Sequence, residues 1–247
     1  MRLAALYDIH GNVPALEAVL NEVRRLGVDR IIMGGDVLPG PLPCESMAIL
    51  ASLDLPVEYI IGNGDRELLS SMRGQKNTAL PKVAQEAIDW VPREFTAEHE
   101  KALSNWPTLL LHEIRGLGTA LFCHATPGSD TENLTRLTPE DQLVPIFQDC
   151  GAQIVVCGHT HMQFDRQIGK VRVVNAGSVG MPFGEPGASW LLLDPHGIHL
   201  QQTPYDVTQA AERIRRIDYP QADDFAQNYI LHPPKEEAML EVLSGNK

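Results

Sequence analysis

Short apolar runs alternate with helical periodicity along the first part of the chain. Residues 3–7, 31–33 and 57–61 are apolar runs of the length expected for buried strands. Between the first two runs, apolar side chains recur at spacings of three and four residues, as on one helical face: Leu16, Val19, Leu20, Val23 and Leu26. This strand–helix–strand order predicts a parallel sheet with crossover helices.

The pattern changes after the third strand. Residues 66–106 contain no strand-like run and favour helices, so they are interpreted as a helical insertion that covers one end of the sheet. Residues 139–149 form a later helix, for which Thr138 is the expected N-cap. The second half otherwise predicts strands of a mixed or antiparallel sheet: 108–114, 119–123, 154–157, 162–168, 171–174, 190–193 and 198–200.

The last part of the chain is expected to be helical. Asp206 is a predicted N-cap for a helix over residues 207–217, and a final short helix ends near Leu243. The economical architecture is an α/β fold of two packed mixed β-sheets flanked by helices, in four αββα layers. The sequence therefore predicts one domain over residues 1–247, with an insertion at 66–106 and a helical tail at 206–247.

Charge and cysteine spacing restrict the functional classes. The 20 Lys and Arg against 32 Asp and Glu give a net charge of −12, which disfavours a broad nucleic-acid surface or a polybasic membrane patch. No apolar run approaches the roughly 18 residues of a membrane span, and residues 1–7 are too short for a signal-peptide core. The four cysteines show no C-x-x-C spacing, so a reducing cytoplasm is the expected location.

Polar side chains follow five of the predicted strands where each strand ends. Ligand sites of open α/β sheets lie outside the carboxyl ends of strands, so these donors are expected to converge in one crevice. A lone D-x-H, Gly-Asp or histidine is usually structural, but the ordered set after five strands is not. The set comprises Asp8, His10, Asp36, Asn63, His124, His159 and His161.

The number and chemistry of these donors predict a metal site. Seven donors are too many for one small ion and suit two ions that share a carboxylate. Carboxylate, amide and imidazole ligands without thiolate favour Mn, Fe, Zn or Ni, with Mn the first expectation.

The same motifs carry a family resemblance. D-x-H, G-D, G-N-x-D, H and G-H-T-H, followed by Asn175-Ala176-Gly177-Ser178-Val179, resemble the calcineurin-like metallophosphoesterase superfamily and its small bacterial and archaeal phosphodiesterase branch. The resemblance implies that Asp36 bridges two divalent ions. One ion would be held by Asp8, His10, Asp36 and His161, and the other by Asp36, Asn63, His124 and His159.

The resemblance also implies an activity. A hydroxide bridging the two metals would attack the phosphorus of a small phosphate ester, with catalytic roles for Asp36, Asn63 and His124. Many phosphatases of the superfamily have a histidine where this chain has Gly64, and that histidine protonates the leaving group. Its absence favours a phosphodiester or nucleotide-type substrate over a monoester.

Several alternatives stay open from the sequence. A phosphomonoesterase, a dinucleoside polyphosphate hydrolase, a non-catalytic scaffold and a phosphate sensor are compatible with the same fold. Asn12 is a candidate for supporting the ligands or for capping the first helix, and Asp65 for the site or for capping the next helix. Arg66 and Arg136 are candidates for contacting a substrate phosphate, although a surface position is the more ordinary interpretation for both.

Overall fold

Ten strands form two five-stranded sheets in the computed structural model, which describes residues 1–93 and 95–244. The first five strands are β1 (Leu3–Leu6), β2 (Arg30–Met33), β3 (Val57–Tyr59), β4 (Leu109–Ile114) and β5 (Gly118–Cys123). The others are β6 (Ile154–Cys157), β7 (Phe164–Ile168), β8 (Val171–Asn175), β9 (Ala188–Asp194) and β10 (Gly197–Thr203). The first sheet has the order β10-β9-β1-β2-β3 and the second the order β4-β5-β6-β8-β7.

Both sheets are mixed: the first contains antiparallel pairs only on the side of β9 and β10, whereas the second has an antiparallel strand at each edge. Strands β1, β2 and β3 are parallel, as are β5, β6 and β8, so each parallel set ends at one edge of its sheet. Strand β9 pairs antiparallel with β1, which means that a late part of the chain completes the first sheet. The mixed character expected from the sequence is confirmed.

Helices cover the outer faces of both sheets. The α-helices of the described residues are α1 (Val13–Arg25), α2 (Pro43–Ala51), α3 (Asn63–Met72), α4 (Lys82–Trp90), α5 (Ala97–Ser104), α6 (Glu140–Phe147), α7 (Val207–Arg215), α8 (Ala222–Phe225) and α9 (Glu236–Leu243). A 3₁₀ turn covers Val91–Arg93 and a π-helical segment covers Ala226–Leu231. Among these, no helix has the length and apolar character needed to cross a membrane.

The alternating side-chain directions along β1 show how the sheets and helices are layered. Leu3 and Ala5 point into the core between the two sheets, where Phe122 of the second sheet is also buried. Ala4 and Leu6 point to the opposite face, against the outer helices. Helix α6 covers the far side of the second sheet in a separate cluster. The predicted four-layer αββα fold is therefore confirmed.

Tyr7 connects the two sheets at the carboxyl end of β1. Its hydroxyl donates to the carbonyl of Val156 in the second sheet, at 3.0 Å between oxygen atoms. Its ring occupies the space that a Cβ on Gly34 or Gly158 would need. Because Tyr7 is fully buried, this contact holds the sheets together beside the residues that follow β1.

Three local expectations differ from the structure. The sequence pattern does not predict helix α2, because its buried positions include Ser46 and Leu50 but do not form a regular apolar stripe. Helix α3 begins at Asn63, before the expected start of the helical segment at residue 66. The Thr138 hydroxyl does not cap α6; it accepts from the Thr135 amide, while Pro139 occupies the N-cap position. The division into insertion and tail stays a prediction.

Candidate metal centre

The loops after five strands bring the seven predicted donors to one place between the sheets. Asp8 and His10 follow β1, Asp36 follows β2, and Asn63 begins α3 after β3. From the second sheet, His124 follows β5, and His159 and His161 follow β6. We call these seven residues the metal centre. Its members come from both sheets because the parallel strands of each end at the same side of the molecule.

Two carboxylates lie among the imidazoles. Asp8 Oδ1 is 3.5 Å from the Nε2 of His161 and 3.9 Å from that of His10 and that of His124. Asp36 Oδ2 is 3.8 Å from His10 Nε2 and 3.6 Å from His124 Nε2. Two three-residue groups are thus close enough to share an ion each, Asp8–His10–His161 and Asp8–Asp36–His124.

Hydrogen bonds to the backbone fix the direction of the imidazoles. His161 Nδ1 lies 2.8 Å from the Met181 carbonyl and His124 Nδ1 lies 3.0 Å from the Gly34 carbonyl, so both Nδ1 atoms act as donors. The Nε2 atoms are then left as acceptors. His10 Nε2 and His161 Nε2 face each other at 3.3 Å, an arrangement that a cation between acceptors stabilises.

Asp8 provides a direct test of whether a cation fits. Its Oδ1 atom is buried and has no hydrogen-bond partner, which is costly for an ionised carboxylate. The other oxygen, Oδ2, accepts from the His159 amide at 2.9 Å. The orphaned atom points at three imidazoles, and a divalent cation there would satisfy all four groups. The residues present therefore fit divalent metal ions.

Asn63 and His159 complete the centre on the His124 side. With its oxygen inward, Asn63 Oδ1 lies 3.1 Å from His124 Nε2. With the amide turned over, its nitrogen would donate to both His124 Nε2 and His159 Nδ1. When the oxygen faces inward, lone pairs of Asn63 Oδ1, His124 Nε2 and His159 Nδ1 face one another. A bound cation would favour this orientation of the amide.

Burial and charge set the protonation of these groups. Burial lowers the pKa of His159 to about 4, and the nearby His124 acts in the same direction. Burial also lowers the pKa of His10. Burial would raise the pKa of Asp8, but the charges of His161, His124 and His10 outweigh it and hold that pKa below its usual value. Burial would lower the pKa of His124 and of His161, but the charges of Asp36 and Asp8 outweigh it and raise both pKa values. A metal ion binds the neutral imidazole, so protons compete with it at these two histidines.

The backbone of the centre is strained. Among the described residues, the non-glycine positions with left-handed φ are five members of the centre: Asp8 (54°), His10 (45°), Asp36 (51°), His159 (65°) and His161 (58°). This region is uncommon for residues with a Cβ, and such strain concentrates at functional sites.

Asp65 holds one of the strained loops in place. Its carboxylate accepts from the amides of Asp36 at 2.7 Å, Leu38 at 2.9 Å and Gly62 at 3.0 Å. The last bond also caps α3, so the capping role considered from the sequence is present together with a second one. Burial and the charge of Asp36 raise the pKa of Asp65 to about 8, opposed by the bonds from Gly62 and Leu38.

Asn175 and Ser178 support the other loops. Asn175 Nδ2 donates to the Gly158 carbonyl at 2.6 Å and to Thr160 Oγ1 at 3.1 Å, which fixes the segment that carries His159 and His161. Ser178 Oγ donates to the Asp8 carbonyl at 2.8 Å. The sequence pattern assigns no role to these two residues, although both belong to a motif that carries the family resemblance.

The other sequence candidates lie around this centre. Asn12 Oδ1 accepts from the Ala15 amide at 3.3 Å, which caps α1, and its Nδ2 donates to the Gly180 carbonyl at 2.8 Å. Arg66 contacts Asp130 at 2.6 Å, and it also pairs with Glu67 at 2.8 Å. Arg136 pairs with Glu236 at 2.7 Å. Both guanidinium groups are therefore engaged with carboxylates.

Gly64 is enclosed by the centre. Its amide donates to Asp36 Oδ1 at 2.7 Å. A Cβ at this position would meet the Leu38 carbonyl oxygen at 2.7 Å, closer than ordinary contacts allow, and Pro39 Cδ at 2.9 Å. The local backbone therefore fits glycine and leaves no room for a side chain without movement.

Sequence comparisons agree with this geometry. Residues 1–197 match the model of the calcineurin-like phosphoesterase superfamily domain. An uncharacterized protein of Methanocaldococcus jannaschii is 28% identical over 238 residues, which cover 89% of this chain and 94% of that protein. The phosphodiesterase YfcE of Escherichia coli is 26% identical over 203 residues, covering 78% of this chain and 88% of YfcE.

Structural comparisons show the same fold. A hypothetical protein of Pyrococcus horikoshii OT3 superposes with a TM-score of 0.78 at 19% identity, covering 94% of this chain and 99% of that one. A metallophosphoesterase from Sphaerobacter thermophilus superposes with a TM-score of 0.70 at 22% identity, covering 92% and 97% of the two chains.

Proposed function

Because the chain belongs to the calcineurin-like phosphoesterase superfamily, we propose that it is a metal-dependent phosphodiesterase that hydrolyses a small diester or nucleotide-type substrate. The observation that carries the proposal is the buried, unpartnered Asp8 Oδ1 among three imidazole nitrogens. The name of the relative YfcE, a phosphodiesterase, supports the choice of bond.

In this proposal the seven residues of the metal centre hold two divalent ions. Asp8, His10 and His161 hold one, Asn63, His124 and His159 hold the other, and Asp36 is shared. Manganese fits the oxygen and imidazole donors, as do iron, nickel and zinc. When bound, such ions supply Lewis-acid polarisation of the phosphoryl group and an acidified water.

Two features of the chain support the proposed preference for diesters. Gly64 offers no proton to a leaving group, so a substrate with a good leaving group is favoured. Arg66 and Arg136 are paired with carboxylates and do not offer free positive charge for a second phosphate. A diester carries one negative charge and a monoester up to two, so a diester depends less on additional positive charge beside the metal centre.

The test compares matched diester and monoester substrates. Metal-stripped protein is assayed with added Mn²⁺, Ni²⁺ or Zn²⁺ on bis(p-nitrophenyl) phosphate and on p-nitrophenyl phosphate, with each metal alone as the blank. We expect turnover of the diester to exceed that of the monoester by about tenfold or more. No turnover with any metal would refute the proposal that the protein is a phosphoesterase. A preference for the monoester would refute the proposal that its substrate is a diester.

A further inference from the structure

A cavity of about 300 Å³ opens beside His10, on the side of the metal centre that faces α4 and α8. Its lining includes Pro39, Met181, Tyr219, Phe225 and Tyr229. We call this space the cap cavity. The three aromatic residues lie beyond residue 197, where the match to the family model ends, so this wall is built by the later part of the chain.

The cap cavity is tied to the metal centre by the ligand histidines. Pro39 and Met181, which line the cavity, also present their carbonyl oxygens to His10 Nδ1 at 3.4 Å and to His161 Nδ1 at 2.8 Å. The cavity wall and two of the metal-binding imidazoles therefore share the same backbone. A group seated in the cavity would lie next to a phosphate held at the centre.

The lining is mainly aromatic and alkyl, with His10 and Asp224 as its ionisable residues, and it selects for a flat group without negative charge. Tyr219 and Phe225 are buried and meet edge to face with ring centroids 6.3 Å apart, and Phe225 contacts Tyr229 at 5.7 Å. None of the lining residues that the structure describes is a lysine or an arginine, so the cavity offers no partner for a further phosphate. Aromatic and alkyl walls favour a planar apolar ring.

One polar group in the wall is left without a partner. Gln221 lines the cavity, and its Nε2 atom is buried with no hydrogen bond. An amide donor in this state is costly, and a rotation of the side chain towards the cavity would let an acceptor on a bound ligand satisfy it. A ring with a carbonyl or a pyridine-type nitrogen supplies such an acceptor, whereas a hydrocarbon ring does not.

We propose that the cap cavity binds the heteroaromatic ring of a nucleoside-like group esterified to the phosphate, with Gln221 donating to an acceptor on that ring. This inference rests on the proposed function, because it names the substrate class for the same centre. It makes Tyr219, Phe225, Tyr229 and Gln221 determinants of specificity.

The test uses two diesters with the same leaving group. The p-nitrophenyl ester of thymidylate is compared with methyl p-nitrophenyl phosphate by kcat/KM, using the Mn²⁺-loaded full chain. We expect the thymidylate ester to be favoured by about tenfold or more. A ratio near one in the wild-type protein overturns the proposal.

Variants then locate the preference. Ala84→Trp fills the cavity from α4, and we expect it to remove the preference while leaving the methyl ester unchanged within about threefold. Ala51→Trp, at an exposed alanine of α2 that is not part of the lining, is the matched control and keeps the preference. A parallel loss for both esters in Ala84→Trp overturns the proposal.

A second variant and a binding measurement separate this inference from the proposed function. Gln221→Leu removes the amide donor at similar size, and we expect the preference to fall about fivefold. If the wild-type protein hydrolyses neither ester, the proposed function fails. Calorimetry with thymidylate and methyl phosphate then tests, independently of turnover, whether the cap cavity binds the ring. Binding of thymidylate about tenfold more tightly than methyl phosphate supports the inference, and equal affinity overturns it.

Discussion

The metal centre and the cap cavity adjoin each other but are built in different ways. The centre consists of polar residues on loops directly after strands, with five left-handed backbone positions and several main-chain hydrogen bonds that hold them. The cavity is lined mainly by apolar side chains from α4 and the segment around α8, and its aromatic residues lack such strain. The metal centre holds its donor atoms in fixed positions, whereas the cap cavity provides a space of a given volume and outline.

This difference separates two questions about an enzyme. In the proposed phosphodiesterase, the centre would determine which bond is attacked, because ligand positions tolerate little movement. The cavity would determine which ester is accepted, because apolar packing depends on volume and less on direction. Changes in the centre are therefore expected to act on all substrates, and changes in the cavity on some of them.

The largest effect is expected from Asp36→Asn. The change removes a negative charge that lies between His10 and His124, and with it part of the affinity for metal. Turnover of bis(p-nitrophenyl) phosphate is expected to fall at least about a hundredfold, together with bound metal measured by mass spectrometry. Asp165→Asn, at an exposed carboxylate paired with Arg172, is the control. Wild-type turnover in Asp36→Asn would show that the centre is assigned wrongly.

A smaller effect on the centre is expected from Asn175→Ala. This residue holds the loop of His159 and His161 without being a ligand. Removing such support is expected to weaken metal affinity by about 10- to 100-fold, with kcat restored at saturating metal. Titration with Mn²⁺ measures this, and Asn105→Ala at an exposed helix end is the control. Unchanged affinity would mean that the loop holds its shape alone.

Gly64→Ala tests how tightly the centre is packed. The added Cβ meets the Leu38 carbonyl oxygen, so the free energy of unfolding is expected to fall by about 1–3 kcal/mol. Gly128→Ala, where nothing lies near the added Cβ, is expected to change it by less than about 0.5 kcal/mol. Urea unfolding of both variants provides the measurement. Equal stabilities would show that the loop of Leu38 yields easily.

The smallest effect is expected from Arg66→Met. Its guanidinium is held by Asp130 and Glu67 at the edge of the site, and such partly exposed pairs add about 1 kcal/mol or less to stability. We expect KM for the diester to change by less than about threefold. A larger rise in KM with kcat unchanged would instead identify Arg66 as a substrate-binding residue.

The sequence predicts the centre better than its surroundings, for a physical reason. Asp8, Asp36 and His124 stand beside apolar strands, and the rule that ligands gather at strand ends needs only local information. The three bonds accepted by Asp65 depend on how two loops meet. Tyr219 lies just before the short helix α8 and Phe225 at its end, and a helix of this length shows no periodic pattern. Contacts between distant segments leave no such trace in the local pattern.

Tyr7 links the geometry of the metal centre to the packing of the two sheets. The donors come from two separate sheets, so the distance between them is set by how closely those sheets lie, and the Tyr7 hydroxyl pins that spacing through Val156. The distances between donors of different sheets therefore depend on the separation of the two sheets. A substitution in the core between the sheets that increases this separation would lengthen those distances, although no donor residue is itself replaced.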